Sequence, residues 1–206
     1  REYEVYDPAI DKSLIIGEDY IMSPQDLCTI EFIDQLIEAG IDSFKIEGRK
    51  RAPEYVAKAV SVYRQAIDLY FEDNLTKEKK KELLTELEKV YNRGFSTGFY
   101  FGIPSSKEYA GVEGSKATTR KVYVGKVLNY YKEIEVAHIL MESEQIKIDD
   151  EILIMGETTG VFEIKLEKLT VNDKEESIAG RGDEVTLKVP SLVRRNDKVY
   201  LIEYVK

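Results

Sequence analysis

The amino-acid sequence predicts an α/β unit followed by an all-β unit, and three observations lead there. The first hundred residues alternate extended runs with helix-period runs, which favours a parallel sheet with helices packed against it. The segment "RGFSTGFYFGIPSS", residues 93–106, interleaves glycines with aromatics and reads as a linker that packs down on one of the two units. From about Lys121, six short alternating runs separated by turn signals suggest a small closed, six-stranded β-barrel. The expected division is therefore 1–104 and 105–206.

Taken in order, the runs at 2–6 and 14–22 flank a turn containing Asp7, Pro8 and Asp11, and predict a hairpin. Ser23, Pro24 and Asp26 have the form of a helix start, with Ser as the cap and Pro in the first turn. Leu27, Ile30, Ile33, Leu36 and Ile37 then recur at helical spacing up to Gly40. "DSFKIEGRKRAPEYV", residues 42–56, reads as a short strand running into a second helix. In that helix Pro53 lies near the first turn, and Val56, Ala59, Val60, Tyr63, Ile67 and Tyr70 form one apolar stripe. A third, charged helix carries Leu83, Leu84, Leu87 and Val90 inward, with Lys79, Lys80 and Lys81 as a solvated face. In the second half, Asp149, Gly182 and Asn196 each open a tight turn with an Asp just ahead of a strand. The "RGD" at 181–183 belongs to that turn chemistry rather than to integrin recognition.

Composition narrows the function classes. A formal charge of −9 argues against a general nucleic-acid binder, because non-specific affinity comes mainly from Lys and Arg on phosphates. Up to Pro104 there are 14 basic against 20 acidic residues, and beyond it 16 against 19, so neither half is basic. "GRKR" at 48–51 remains a local contact point. A single cysteine excludes an internal disulfide framework and fits a reducing compartment. No apolar run approaches a membrane span or a secretion signal, so the expected location is the cytoplasm, with no membrane partner. A first residue of Arg rather than Met suggests a piece of a longer polypeptide.

His138 is the only histidine and lies in the strand pattern "EIEVAHILM" as an ordinary strand residue. A Ser-His-Asp hydrolase would need it, yet no G-x-S-x-G accompanies it, and H-E-x-x-H needs two histidines. No Walker or G-x-G-x-x-G sequence supports nucleotide binding. Cys28 reads as a small buried hydrophobe early in a helix; the competing reading makes it a metal or cluster ligand. An iron–sulfur cluster usually takes four cysteines, so this chain does not build one alone.

The stretch at 42–56 carries the sharpest functional pattern. Side chains alternate along a strand, so Lys45 and Glu47 face away from Phe44 and Ile46. In a closed parallel barrel of the TIM type that side is the lumen, where barrel enzymes place working groups near the carboxyl ends of strands. Glu47 is then a candidate acid, base or orienting group, with Lys45 and Arg49 as anion-binding partners. An internal salt bridge of Glu47 with Lys45 or Arg49 explains the same charges structurally.

At these residues a resemblance emerges. "SPQDLCTIEFIDQLIEAGIDSFKIEGRKRAPEYVAKAVSVYRQAID", residues 23–68, closely resembles the carboxyl-terminal part of the collagenase-like peptidase family, peptidase family U-32. The matching pieces are "DLC", "EAGIDSFKIEGR" and "YVAKAVSVYRQAID", and "NRGFSTGFYFG" resembles the family's next segment. The resemblance implies that 1–104 supplies the last strand-helix units of a TIM-type catalytic domain, with its linker. It implies that the six-strand tail is a terminal barrel similar to the second domain of elongation factor Tu.

Members related to this chain are implicated in oxygen-independent or prephenate-dependent hydroxylation, including that of wobble uridine in transfer RNA, and several carry a four-iron cluster. Cys28 would match the last of four cluster cysteines, the others lying upstream of Arg1 and missing here. The resemblance thus implies a four-iron cluster and transfer RNA as partner for the full-length protein, and no cluster in this chain, which alone would be inactive. The upstream part of the same polypeptide is an implied partner, and open sheet edges offer a route to oligomers. Peptidase activity is the alternative, although one His and one Cys at these positions assemble neither an activated nucleophile nor a metal-bound water. A module gripping RNA or protein by its terminal barrel is the third reading.

Overall fold

The computed structural model describes residues 3–17, 24–104, 110 and 114–205. Within it the chain divides into two compact units, Arg1–Thr118 and Thr119–Lys206, so the break falls beyond Pro104. None of the described helices is long and apolar enough to cross a membrane.

The first unit opens with the predicted hairpin, β1 (Tyr3–Asp7) antiparallel to β2 (Lys12–Gly17). In its turn Asp7 accepts the Ala9 N–H at 2.9 Å, and Asp11 adopts φ 49°. The predicted helix start is displaced. Ser23 lies outside the described residues, and Asp26–Leu27 forms a short strand, β3. Helical structure begins only with a 3-10 turn at Ile30–Phe32, followed by α1 (Ile33–Glu38). Tertiary pairing overrides the local cap signal here: the Asp26 N–H donates to the Gly94 carbonyl at 2.9 Å and the Cys28 N–H to Ser96 at 3.0 Å. Gly40, at φ 81°, ends the helix in the left-handed conformation that glycine adopts without steric cost.

The long helix α2 (Pro53–Phe71) has Pro at its first position, where the missing N–H costs nothing. Its buried face is centred on Ala59, Val62 and Ala66, one step around from the expected stripe, and Val60 faces solvent. The small alanines let α2 approach the core closely. α3 (Lys77–Glu88) is capped by Thr76, whose hydroxyl accepts the Lys79 N–H at 3.3 Å, and buries Leu83 and Leu87. Lys80 departs from the solvated face expected of it: its ammonium reaches Asp34 at 2.6 Å and donates to the Glu31 carbonyl. The glycine-aromatic segment is partly a strand, β4 (Phe95–Ser96), parallel to β3. Ile30, Phe32, Ile33, Leu36 and the helix residues above form the core of this unit, with Phe44 and Ile46 packed against it.

The second unit contains β5 (Thr119–Tyr131), β6 (Val136–Met141), β7 (Ile146–Lys147), β8 (Glu151–Gly156) and β9 (Gly160–Lys165). They are followed by β10 (Leu169–Val171), β11 (Lys174–Glu176), β12 (Ile178–Ala179), β13 (Glu184–Lys188) and β14 (Lys198–Tyr204). Eight of these form one antiparallel sheet in the order β11-β10-β13-β6-β5-β14-β8-β9, and β7 pairs with β12 separately. The six-stranded closed barrel expected from the sequence is thus corrected. Among the described residues no ladder joins the edge strands β9 and β11. The run "GVFEIKLEKLTV", read as one strand, is two, because buried Leu166 breaks it. Leu166 donates to the Asp150 carbonyl and accepts the Asp149 N–H, and the chain passes from one sheet edge to a strand near the other.

The three repeated turns are as expected. Asp149, Gly182 and Asn196 all have positive φ, and the Asp after each accepts a backbone N–H three residues earlier. Asp150 takes Lys147 at 2.9 Å, Asp183 takes Gly180 at 2.8 Å, and Asp197 takes Arg194 at 2.7 Å. The Asp183 carboxylate is further engaged by the Asn172 amide, so the acidic group of the "RGD" triplet is committed to its own fold. His138 sits on β6, half-buried, with Nε2 2.7 Å from Glu184 and its ring stacked on Tyr131.

Candidate functional site

Residues 41–48 carry no regular secondary structure, but their burial alternates as the sequence predicts: Phe44 and Ile46 are half-buried while Lys45 and Glu47 are exposed. They do not form the expected strand, because among the described residues no neighbouring strand pairs with them, and a strand is defined by its ladder. Together with β3, α2 and the segment after β4, they enclose a cleft of about 640 Å3. Cys28, Lys45, Glu47 and Arg49, the four residues singled out from sequence, all line it.

The rim is charged. Glu47 accepts the Arg49 backbone N–H at 2.8 Å, which fixes the carboxylate at the turn after this run. Among the described residues no ion pair joins Glu47 to Lys45 or Arg49, so the internal salt bridge is not formed. Lys45, Arg49 and neighbouring Lys50 therefore present three cations at the opening with no ion-pair partner among the described residues.

Arg51 behaves differently from the rest of "GRKR". Its guanidinium pairs with Asp26 and lies between the Tyr55 and Tyr91 rings, 5.0 and 4.9 Å from their centroids. The other Asp26 oxygen accepts the Arg93 N–H at 3.0 Å. This pair ties β3, the start of α2 and the approach to β4 together. Sequence reading missed it, because the partners are separated by 25 residues and Asp26 looks locally like a capping acid.

The inner wall is neutral. Cys28 is buried, and burial pushes its thiol pKa up. The Tyr63 hydroxyl accepts the Thr29 N–H at 2.9 Å and lies 3.8 Å from Cys28 Sγ, to which it donates. Burial, with the neighbouring thiol adding to it, pushes the Tyr63 phenol up to about 12. A folded-state pKa raised above the ordinary value of 10.0 contributes stability that is complete below pH 10 and lost as pH rises towards 12. In an alkaline denaturation series Tyr63→Phe is expected to flatten this stability loss by roughly 2 kcal/mol between those limits. Circular dichroism at each pH checks it, and identical slopes for variant and parent would contradict it.

The donor set does not suit a cluster held by this chain alone. Among the described residues no three His, Cys, Asp or Glu side chains come together to hold a metal ion, and one protonated thiol is not a four-cysteine site.

The site is thus a partly basic cleft with an aromatic wall, on a helical unit joined in sequence to an antiparallel-sheet unit. The profile of Peptidase family U32 matches residues 1–110, and the chain belongs to that family. It is 42% identical over 186 residues to an uncharacterised protease of Methanocaldococcus jannaschii, covering 89% of this chain and 45% of that protein. To a collagenase of Porphyromonas gingivalis it is 40% identical over 200 residues, covering 97% and 48%. To tRNA hydroxylation protein P1 of Bacillus subtilis it is 39% identical over 184 residues, covering 87% and 43%. The chain spans about half the length of the curated relatives it matches. Among solved structures, the C-terminal domain of a Geobacillus thermoleovorans protein titled a U32 peptidase aligns at 22% identity and TM-score 0.37, covering 38% of this chain and 90% of that one. A likeness that slight bears no weight on the fold.

Proposed function

We propose that the chain is the carboxyl-terminal part of a U32 protein that acts in oxygen-independent hydroxylation of transfer RNA uridine. The observation that carries this reading is the cleft: three cations without ion-pair partners among the described residues beside one carboxylate suit a polyanionic substrate. The likeness to tRNA hydroxylation proteins of Bacillus subtilis and Haemophilus influenzae supports it. In this reading residues 1–104 are the last strand-helix units of a TIM-type catalytic domain. The sheet unit is the counterpart of the family's terminal domain, akin to the second domain of elongation factor Tu. Glu47 is the acid, base or orienting group, Lys45 and Arg49 bind the anion, and the protein works in the cytoplasm. Cys28 is one ligand of a four-iron cluster whose remaining ligands this chain does not contain.

Deleting the gene is expected to abolish hydroxyuridine in transfer RNA, measured by mass spectrometry of digested nucleosides, and a Glu47→Gln allele is expected to fail to restore it. Unchanged hydroxyuridine in the deletion strain would overturn the proposal. Proteolysis is the second reading, favoured by the likeness to the collagenase of Porphyromonas gingivalis. It predicts gelatin cleavage by the full-length protein that falls on Glu47→Gln.

A further inference from the structure

We infer that the cleft holds one unstacked nucleotide of single-stranded RNA, with its phosphodiester on Lys45, Arg49 and Lys50 and its base against Tyr100. The inference rests on the RNA reading above and adds the ligand's form and its contacts.

Arg51 is excluded from ligand binding by its engagement with Asp26 and the two tyrosine rings, so the anion is left to the three cations at the rim. In a chain of net charge −9, a cleft wall carrying three such cations against Glu47 is a local reversal of sign that attracts and orients a phosphate. Tyr100, which also lines the cleft, is 52% exposed, and its ring is held against Phe32 at 5.2 Å between centroids. It is a platform backed by the core. The cleft lies within the range of about 300–1,000 Å3 typical of small-molecule sites, large enough for one nucleotide and too small for a duplex. Bases inside a duplex hide their faces, whereas unstacked bases of loops offer them to aromatic side chains. Phe99 and Phe101, both well exposed, extend the aromatic surface for flanking bases.

Fluorescence anisotropy of the whole chain with labelled oligouridylate of about ten nucleotides tests the inference. Arg49→Glu with Lys50→Glu is expected to weaken binding more than about tenfold and to reduce the salt slope by about 1.4, the share of two phosphate contacts. Tyr100→Leu is expected to weaken it by about tenfold, and Tyr100→Phe, which keeps the ring, by less than about twofold. Binding unaffected by these changes but lost on Lys121→Ala or Tyr200→Leu in the sheet unit would overturn the inference. So would equal binding of a polyglutamate of matched charge, or no oligouridylate binding at low salt. Binding that depends on Arg49, Lys50 and Tyr100 supports the cleft even where deletion leaves hydroxyuridine unchanged, a result that would sink the hydroxylation alone.

Discussion

Alanine at Gly125 is expected to destabilise the sheet unit by on the order of 3–4 kcal/mol. Gly125 lies in β5, hydrogen-bonded between β6 and β14, opposite Met141 on one side and Val199 on the other. A Cβ added there would stand 2.1 Å from the Leu140 carbonyl oxygen and 3.0 Å from its carbon. Both atoms are backbone, so no rotamer change relieves the clash. The strands must separate, and the ladder running from Gly125 to Tyr131 against β6 is disturbed with them. Thermal denaturation followed by circular dichroism checks this, and a melting temperature within about 2 °C of the parent would contradict it.

Asp26→Ala is expected to cost the first unit roughly 3 kcal/mol, the lower end for breaking a buried pair because both side chains keep some exposure. Their side-chain exposures are 16% for Asp26 and 17% for Arg51. The change leaves a guanidinium between two tyrosine rings without its counter-ion and removes the acceptor of the Arg93 N–H. Asp26→Asn keeps an acceptor and is expected to recover about 1 kcal/mol of that loss. Urea denaturation of the three proteins measures the series, and a cost below about 1 kcal/mol for Asp26→Ala would show that Arg51 finds solvent instead. Loosening β3 also loosens one wall of the cleft, so oligouridylate affinity is expected to fall with it.

Some of this was legible in the sequence for definite reasons. The three Asp turns could be read because Asp chemistry and positive φ act within four residues. The second and third helices could be read because their apolar period is a local signal, as is Pro53 at the start of the second. The exposure of Lys45 and Glu47 followed from alternation alone. The first helix was misplaced because the amides of Asp26 and Cys28 are taken by carbonyls nearly seventy residues away. The six-strand count failed at Leu166, which turns inward and ends a run that is continuous in hydropathy, and at β7, β11 and β12, which are only two or three residues long.

Sequence by itself determined a helix-bearing unit followed by an all-β unit, pointed to the family, and singled out Cys28, Lys45, Glu47 and Arg49, while the parallel sheet expected of the first unit is, among the described residues, only the two-residue pair of β3 and β4. Those readings follow from period, turn chemistry and residue identity, all carried by near neighbours. Only the tertiary structure decided that the four line one cleft, that Arg51 is locked to Asp26 while Arg49 and Lys50 lack ion-pair partners among the described residues, and that Tyr100 stands beside them. Which charges meet, and which remain for a ligand, depends on distances across the fold that no local pattern encodes.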